Sequence, residues 1–290
     1  MIEMILINGL IMGGMYAILA MGFSLVFGVG RILNIAHTAF YMVTAFLIFI
    51  STNILRFPML PSAIVSVFLV MGLGMVCFWL FFDRVKEHET ALIIIGISLA
   101  LLFQEILLLI FGGSYRGIKP FVDGLVLVGD ASFTYQQVLA IVASVITLTG
   151  VWIILKKTSL GLAIRSISQD REVANLMGIQ VDRICLITFG ISAGLAAIAG
   201  VVVAPIFMVH PLMWANPLII ILAATVLGGM GSIKGSVIAS FILGYAETIV
   251  VFMVPEGSFL RGAVSMAIMI STLLIRPEGL FGVIFEEELL

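Results

Sequence analysis

Few side chains in this sequence could do chemistry, and most of those stand alone in apolar surroundings. Asn8, Gln104, Glu105 and Glu247 fall inside long hydrophobic runs, and Asn34 and His37 fall at a break between two such runs. At that depth in an apolar layer a polar or ionisable group can carry a proton, bond a passing solute or hold a neighbouring helix. For Glu105, in LFQEILLLIF, a structural partner and a proton relay are both open. His37 reads first as a hydrogen-bonded break residue and second as a ligand for a solute. No Cys, His or carboxylate cluster has metal-ligand spacing, and no nucleophile-and-base pattern is legible, so a membrane enzyme is disfavoured. Gly229-Met-Gly-Ser-Ile-Lys234 invites comparison with a phosphate loop. That loop needs four residues between its glycines and a Gly-Lys-Ser/Thr order, whereas here Lys234 precedes Gly235 and Ser236 and no strand comes before. Any ATP that drives this protein is therefore expected on another chain, so no cofactor is expected in this one.

The elements that must position these residues are helices in a membrane. Of 290 residues 62% are hydrophobic and 10% charged, against roughly a quarter charged in a soluble domain, and the mean hydropathy is +1.28. The expected fold is all-α, a single polytopic transmembrane domain over 1–290 with about eight to ten spans. The long unbroken apolar runs disfavour a β-barrel, whose segments alternate. Candidate spans lie at about 5–29, 36–55, 60–82, 91–111, 136–155, 184–208, 217–232, 236–254 and 260–275. No basic residue precedes Arg31, so the first run is expected to be a retained span rather than a cleaved signal. Cys77 and Cys185 lie in or beside spans, which speaks against a disulfide framework. There is no basic tail to suggest nucleic acid.

Nine spans put the two ends on opposite sides. With the N-terminus outside and the C-terminus cytoplasmic, inner connections hold Arg31, Arg84, Lys86, Lys156, Lys157, Arg165, Arg171, Arg183, Lys234 and Arg276, ten of the 14 basic residues. The outer ones hold Arg56, Arg116, Lys119 and Arg261, a bias that favours this orientation. Two glycine-containing breaks, Phe27–Thr38 and Leu227–Ser236, sit in the two halves. They are either interrupted helices lining a path between the halves or ordinary turns. Gly9, Gly13 and Ala17 form a small-residue stripe in the first span; Ser192, Ala196 and Gly200 form one in the sixth, beside Gly190 and Gly194. Such stripes bring helices close, within one subunit or between two. Residues 112–135 form an outer loop that could dock a partner or only connect helices.

Lys156–Arg183 is the long polar passage, with eight of the 14 basic and 16 acidic residues. Thr158 or Ser159 can cap a short helix over 160–167, Asp170 a second over 171–177, and Gly178 can end it. Leu160, Ala163, Ile164 and Ile167 make an apolar stripe, as do Ala174 and Met177. A short amphipathic helix of this kind can enter a groove of a soluble partner or lie on the membrane surface.

Four stretches together resemble the permease subunit of branched-chain amino acid ABC importers, over nearly the whole chain. They are Gly9–Ala17 leading through Gly22 to Leu33-Asn-Ile-Ala-His37; Leu160–Arg165 with Gln169–Ile179; Leu227-Gly-Gly-Met-Gly-Ser-Ile233; and Arg276-Pro-Glu-Gly-Leu-Phe-Gly282. The resemblance implies a non-enzymatic subunit of a prokaryotic inner-membrane importer. Its partners would be two cytoplasmic ATPase subunits that bind ATP and Mg, a homologous second permease as a heterodimer, and an extracytoplasmic substrate-binding protein. By this likeness Leu160, Gly161, Arg165, Asp170, Ala174 and Gly178 form the ATPase-coupling element in the loop 156–183. Asn34, His37, Gly228, Gly229, Gly231 and Glu247 are the candidates for the path. The likeness turns the choice for the polar loop toward a protein groove. Thr38 and Lys234 stand where the family usually has Gly and Pro, which leaves urea or short amides as alternative cargo. A stand-alone ion-coupled transporter is the rival class; it would need paired ionisable residues, and only Glu105 and Glu247 are available.

Overall fold

A computed structural model describes residues 2–86, 88–128 and 131–281. Eleven helices occur among them: α1 (Ile2–Gly30), α2 (His37–Phe49), α3 (Met59–Cys77), α4 (Glu89–Phe111), α5 (Tyr135–Lys157), α6 (Ser159–Gln169), α7 (Arg171–Leu176), α8 (Val181–Val203), α9 (Ala215–Gly228), α10 (Ile233–Met253) and α11 (Arg261–Ile275). Wider turns extend α2 to Ile54 and α3 to Phe82, and a tighter turn over Gly257–Leu260 lengthens α11 at its start. Eight helices are long and apolar enough to cross a membrane; the seventh span expected from the sequence, over 217–232, is α9, which has 14 residues. The loop over 112–135, expected outside, holds a feature that hydropathy did not reveal. Strands β1 (Leu125–Val128) and β2 (Ala131–Thr134) pair antiparallel there, and Thr134 then caps α5 in a capping box with Gln137.

α1 is the axis of the bundle. Its most apolar stretch is 89% buried, and α10, α8, α5 and α9 surround it. The small-residue stripes explain how. A Cβ on Gly9 or Gly13 would collide with Tyr245 or Phe241 of α10, and one on Gly244 with the backbone of α1. In α8, Gly190 and Gly194 lie under Met75 and Met71 of α3, and Gly200 faces Tyr41 and Thr44 of α2. Both stripes serve packing within this chain, where close backbone approach replaces a hydrophobic drive that lipid cannot supply. Cys77 and Cys185 are buried and free.

Contacts along α1 fix the helix directions. Gly13 meets Phe241 and Gly28 meets Gly231, so α10 runs antiparallel to α1. The Leu280 and Phe281 amides donate to Leu227 and Gly228 at the end of α9. The end of the described chain therefore lies at the same end of the bundle as Gly30, opposite Ile2. Lys86 reaches Asp182 at this end, which also carries α6 and α7. The ten basic residues assigned to inner connections gather at one end and the other four at the opposite end.

The two breaks differ physically. After Gly30, Arg31 takes a left-handed backbone (φ 51°), and the chain turns back into the bundle. His37, the first residue of α2, bonds the Leu19 carbonyl, eleven residues before the end of α1 and so about 16 Å inside it at 1.5 Å per residue. Segment 31–36 is thus re-entrant, and Gly96 of α4 gives it room, because a Cβ there would press on the Ile35 amide. The second break is a tight turn at the end of the bundle. Gly229 and Gly231 have φ 95° and 85°, a conformation that glycine adopts without a Cβ penalty, and Met230 beside them is 62% exposed. α9 is short because its own entry is buried: the Trp214 indole donates to Gln104 at 2.8 Å, seven residues below the end of α4.

Candidate functional site

The polar loop between α5 and α8 folds as two short helices. Thr158 is the first cap, accepting from the Gly161 amide at 3.1 Å and donating to Ile154 at 2.6 Å. Asp170 is the second, accepting from the Val173 amide at 2.9 Å, and Gly178 ends the segment with φ 85°. Gly161, Ile164 and Ile167 turn toward the bundle. Gly161 lies against the Ile154 and Leu155 carbonyls, where a Cβ has no place, so it joins α6 to α5. Leu160 is half-buried, and Arg165 is exposed.

The outward apolar face differs from the stripe read from spacing. Ala174 is buried, whereas Met177 is 79% exposed. α7 stops at Leu176, so the three-residue spacing that would align Ala174 with Met177 is broken before it completes. Leu162, Val173, Leu176 and Met177 are the apolar side chains that reach solvent here. Sequence reasoning missed Leu162, Val173 and Leu176; the signal for the last two is that they lie on either side of the buried Ala174. Behind this face is a charged group. Lys86 Nζ lies 3.0 Å from Asp83 and 2.8 Å from Asp182, and Arg171 lies 3.5 Å from Asp182. The Asp182 hydrogen bond is the main cause that holds the Lys86 ammonium above its usual pKa.

The path candidates fall in three places rather than one. His37 is fully buried between α1 and α8, with Nε2 3.0 Å from the Leu19 carbonyl and Nδ1 3.0 Å from Ser192 Oγ. A carbonyl only accepts, so Nε2 carries a hydrogen, and in that neutral tautomer Nδ1 accepts from the Ser192 hydroxyl. Gly22 makes this possible, since a Cβ there would meet the imidazole. Beside it Asn34 is 1% exposed with neither side-chain atom partnered, and the Thr38 hydroxyl is also buried and unpartnered. Other span hydroxyls, including Thr44, Thr188 and Thr248, bond the carbonyl four residues back; Thr38 does not. α2 has no side-chain cap at Ala36, so the first turn leaves donors free.

Gly228, Gly229 and Gly231 lie at the end of the bundle. Gly228 packs on the backbone of Gly235 and Ser236. A small cavity of about 30 Å³, lined by Phe23, Ser24, Leu33, Thr225, Met230 and Gly231, separates this turn from the re-entrant segment. Glu247 is elsewhere again. Tyr16 donates to its Oε2 at 3.0 Å and Ser265 to its Oε1 at 2.5 Å, closing α1, α10 and α11 around a carboxylate that is 1% exposed. Tyr16 and Ser265 were not legible as its partners, being 231 and 18 residues away. Ser24 and Ser236 touch at 2.5 Å, and since Ser236 donates to the Ser232 carbonyl, Ser24 is the donor between them. Glu105 is exposed on α4 and accepts from Gln104 at 3.0 Å.

Residues 5–273 match the family described as branched-chain amino acid transport system / permease component. The chain belongs to that family. It is a transport permease component with multiple membrane-spanning helices rather than an enzyme. Among its relatives is the high-affinity branched-chain amino acid transport system permease protein BraD of Pseudomonas aeruginosa, 27% identical over 96% of this chain and 94% of that one. LivH of Escherichia coli K12, with the same description, is 26% identical over 95% and 94%. PsaBC from Streptococcus pneumoniae, solved in complex with a Fab, shares the fold at a TM-score of 0.55 and 17% identity, over 94% of this chain and 92% of the solved one.

Proposed function

We propose that this permease is the membrane subunit of an ATP-driven importer in a prokaryotic inner membrane, and that it carries branched-chain or other small neutral amino acids inward. The observation that carries the reading is the outward face of α7 and α6. Leu162, Val173, Leu176 and Met177 project from short, capped helices, and this chain has no phosphate loop of its own. An ATPase groove that seats these residues could move the bundle when ATP closes it. Two cytoplasmic ATPase subunits bind ATP and Mg, a homologous second permease completes the path, and an extracytoplasmic binding protein delivers the solute. The basic-residue bias supports an N-terminus outside and α6–α7 in the cytoplasm. In this reading Arg165, Asp170 and Gly178 shape the docking element, while Leu160, Gly161 and Ala174 anchor it. Asn34, His37 and Thr38 line the path at the re-entrant segment. Small neutral amino acids, polar at one end and apolar at the other, suit two unpartnered polar side chains among buried apolar ones.

The test is purification in mild detergent with identification of co-purifying chains, followed by leucine uptake in proteoliposomes. Two ATPase chains and ATP-dependent uptake are expected. Uptake by this chain alone under an ion gradient would overturn the proposal, and uptake of urea in place of leucine would correct its cargo.

A further inference from the structure

α7 is tied to the rest of the protein differently from α6. Its six residues bury one side chain, Ala174, whereas α6 buries three residues and abuts the α5 carbonyls through Gly161. Apolar packing thus makes α6 one body with α5 and leaves α7 dependent on polar contacts. These converge on Asp182 in the first turn of α8. Arg171, the first residue of α7, lies 3.5 Å from its Oδ1. Lys86, just after α3, lies 2.8 Å from the same oxygen and 3.0 Å from Asp83. Beyond this point α3 and α8 pack closely, Gly74 against Ala193 and Met75 over Gly190. Further along α8, Ser192 holds His37 at 3.0 Å, and His37 ends the re-entrant segment.

We infer that Asp182 is a positioning residue that passes movement of α7 to the α3–α8 pair, with Arg171 and Lys86 as its two arms, and through Ser192 and His37 to segment 31–38. The inference rests on the reading that an ATPase docks on α7. One carboxylate balances the charge of two cations at once; an amide of the same shape can accept their hydrogen bonds but carries no charge to hold them together. Side chains this exposed add little to stability, so the role is read in coupling. A pair of this exposure shifts an equilibrium by no more than about fivefold.

The experiment uses the assembled importer in proteoliposomes, with leucine-loaded binding protein, and measures leucine moved per ATP hydrolysed. Asp182→Asn is expected to retain its ATPase subunits and its thermal midpoint while the ratio falls about two- to fivefold, and Asp182→Glu to restore most of it. Raising KCl toward about 1 M, where the Debye length is about 3 Å, is expected to lower the wild-type ratio toward that of Asp182→Asn and to leave the variant unmoved. An unchanged ratio in Asp182→Asn overturns the inference. So does loss of the ATPase subunits from that variant, which would assign Asp182 to docking itself. A wild-type preparation that holds no ATPase would instead sink the importer reading, and is recognised before any variant is compared.

Discussion

Asn34→Leu should make this protein more stable while slowing transport. The Asn34 carboxamide is 1% exposed, and neither its nitrogen nor its oxygen has a partner. A buried polar group left unpaired costs about 1–3 kcal/mol, and leucine has the same number and branching of side-chain heavy atoms with nothing to satisfy. Inside a bilayer the unfolded reference also finds partners for polar groups, which moves the gain toward the lower end, about 1 kcal/mol. Transport should go the other way. A solute that bonds Asn34 while crossing the re-entrant segment loses one neutral hydrogen bond, also about 1 kcal/mol, and a rate falls about fivefold for that loss. The assay pairs a thermal scan of the purified protein with leucine uptake normalised to protein in the membrane. A lower midpoint would refute the account of Asn34 as an orphaned group. A higher midpoint with unchanged uptake would refute its place in the path.

Leu176→Asp and Met177→Asp should each strip ATPase subunits from the purified permease without moving its thermal midpoint, because both side chains are largely exposed; pull-down and a thermal scan check this. Gly161→Val should cost about 1–3 kcal/mol through overpacking, because the atoms it meets are backbone carbonyls that cannot yield; limited proteolysis should then cut faster within 158–170. His210 offers a pH-dependent test. Burial lowers its pKa below the usual 6.5, and its Nδ1 accepts the Leu212 amide at 3.0 Å, which requires the neutral ring. Its contribution is therefore present above pH 6.5 and lost as pH falls through the lower folded value. Protection of the Leu212 amide against hydrogen exchange should fall between pH 7 and pH 5, and His210→Ala should remove that step.

The spans were legible because their signal is local. Twenty apolar residues in a row must be a helix in lipid, whatever they pack against. Caps were legible for the same reason, since Thr158 and Asp170 act within three residues. Sequence alone left three features hidden, each of which depends on a distant partner. The two glycine-rich breaks look alike in composition, yet only the first is drawn inward, by contacts of His37 with Leu19 and Ser192. α9 is shortened by Trp214 reaching Gln104, 110 residues away. Glu247 stood among the path candidates because an acid in an apolar run suggests function. It lies between two hydroxyl donors whose approach depends on how α1, α10 and α11 pack.

The burial of α1 also sets the order of events during synthesis. Tyr16 and Glu247 are 231 residues apart, and ribosomes add roughly 5–20 residues per second. α1 therefore waits roughly 10–50 s for the helix that covers its glycine face. Its hydropathy of 2.0 keeps it in the bilayer meanwhile, but Gly9 and Gly13 stay open to any passing helix until α10 arrives. Nascent chains halted before Ile233 should cross-link promiscuously through that face. Release of the full chain would then end its exposure.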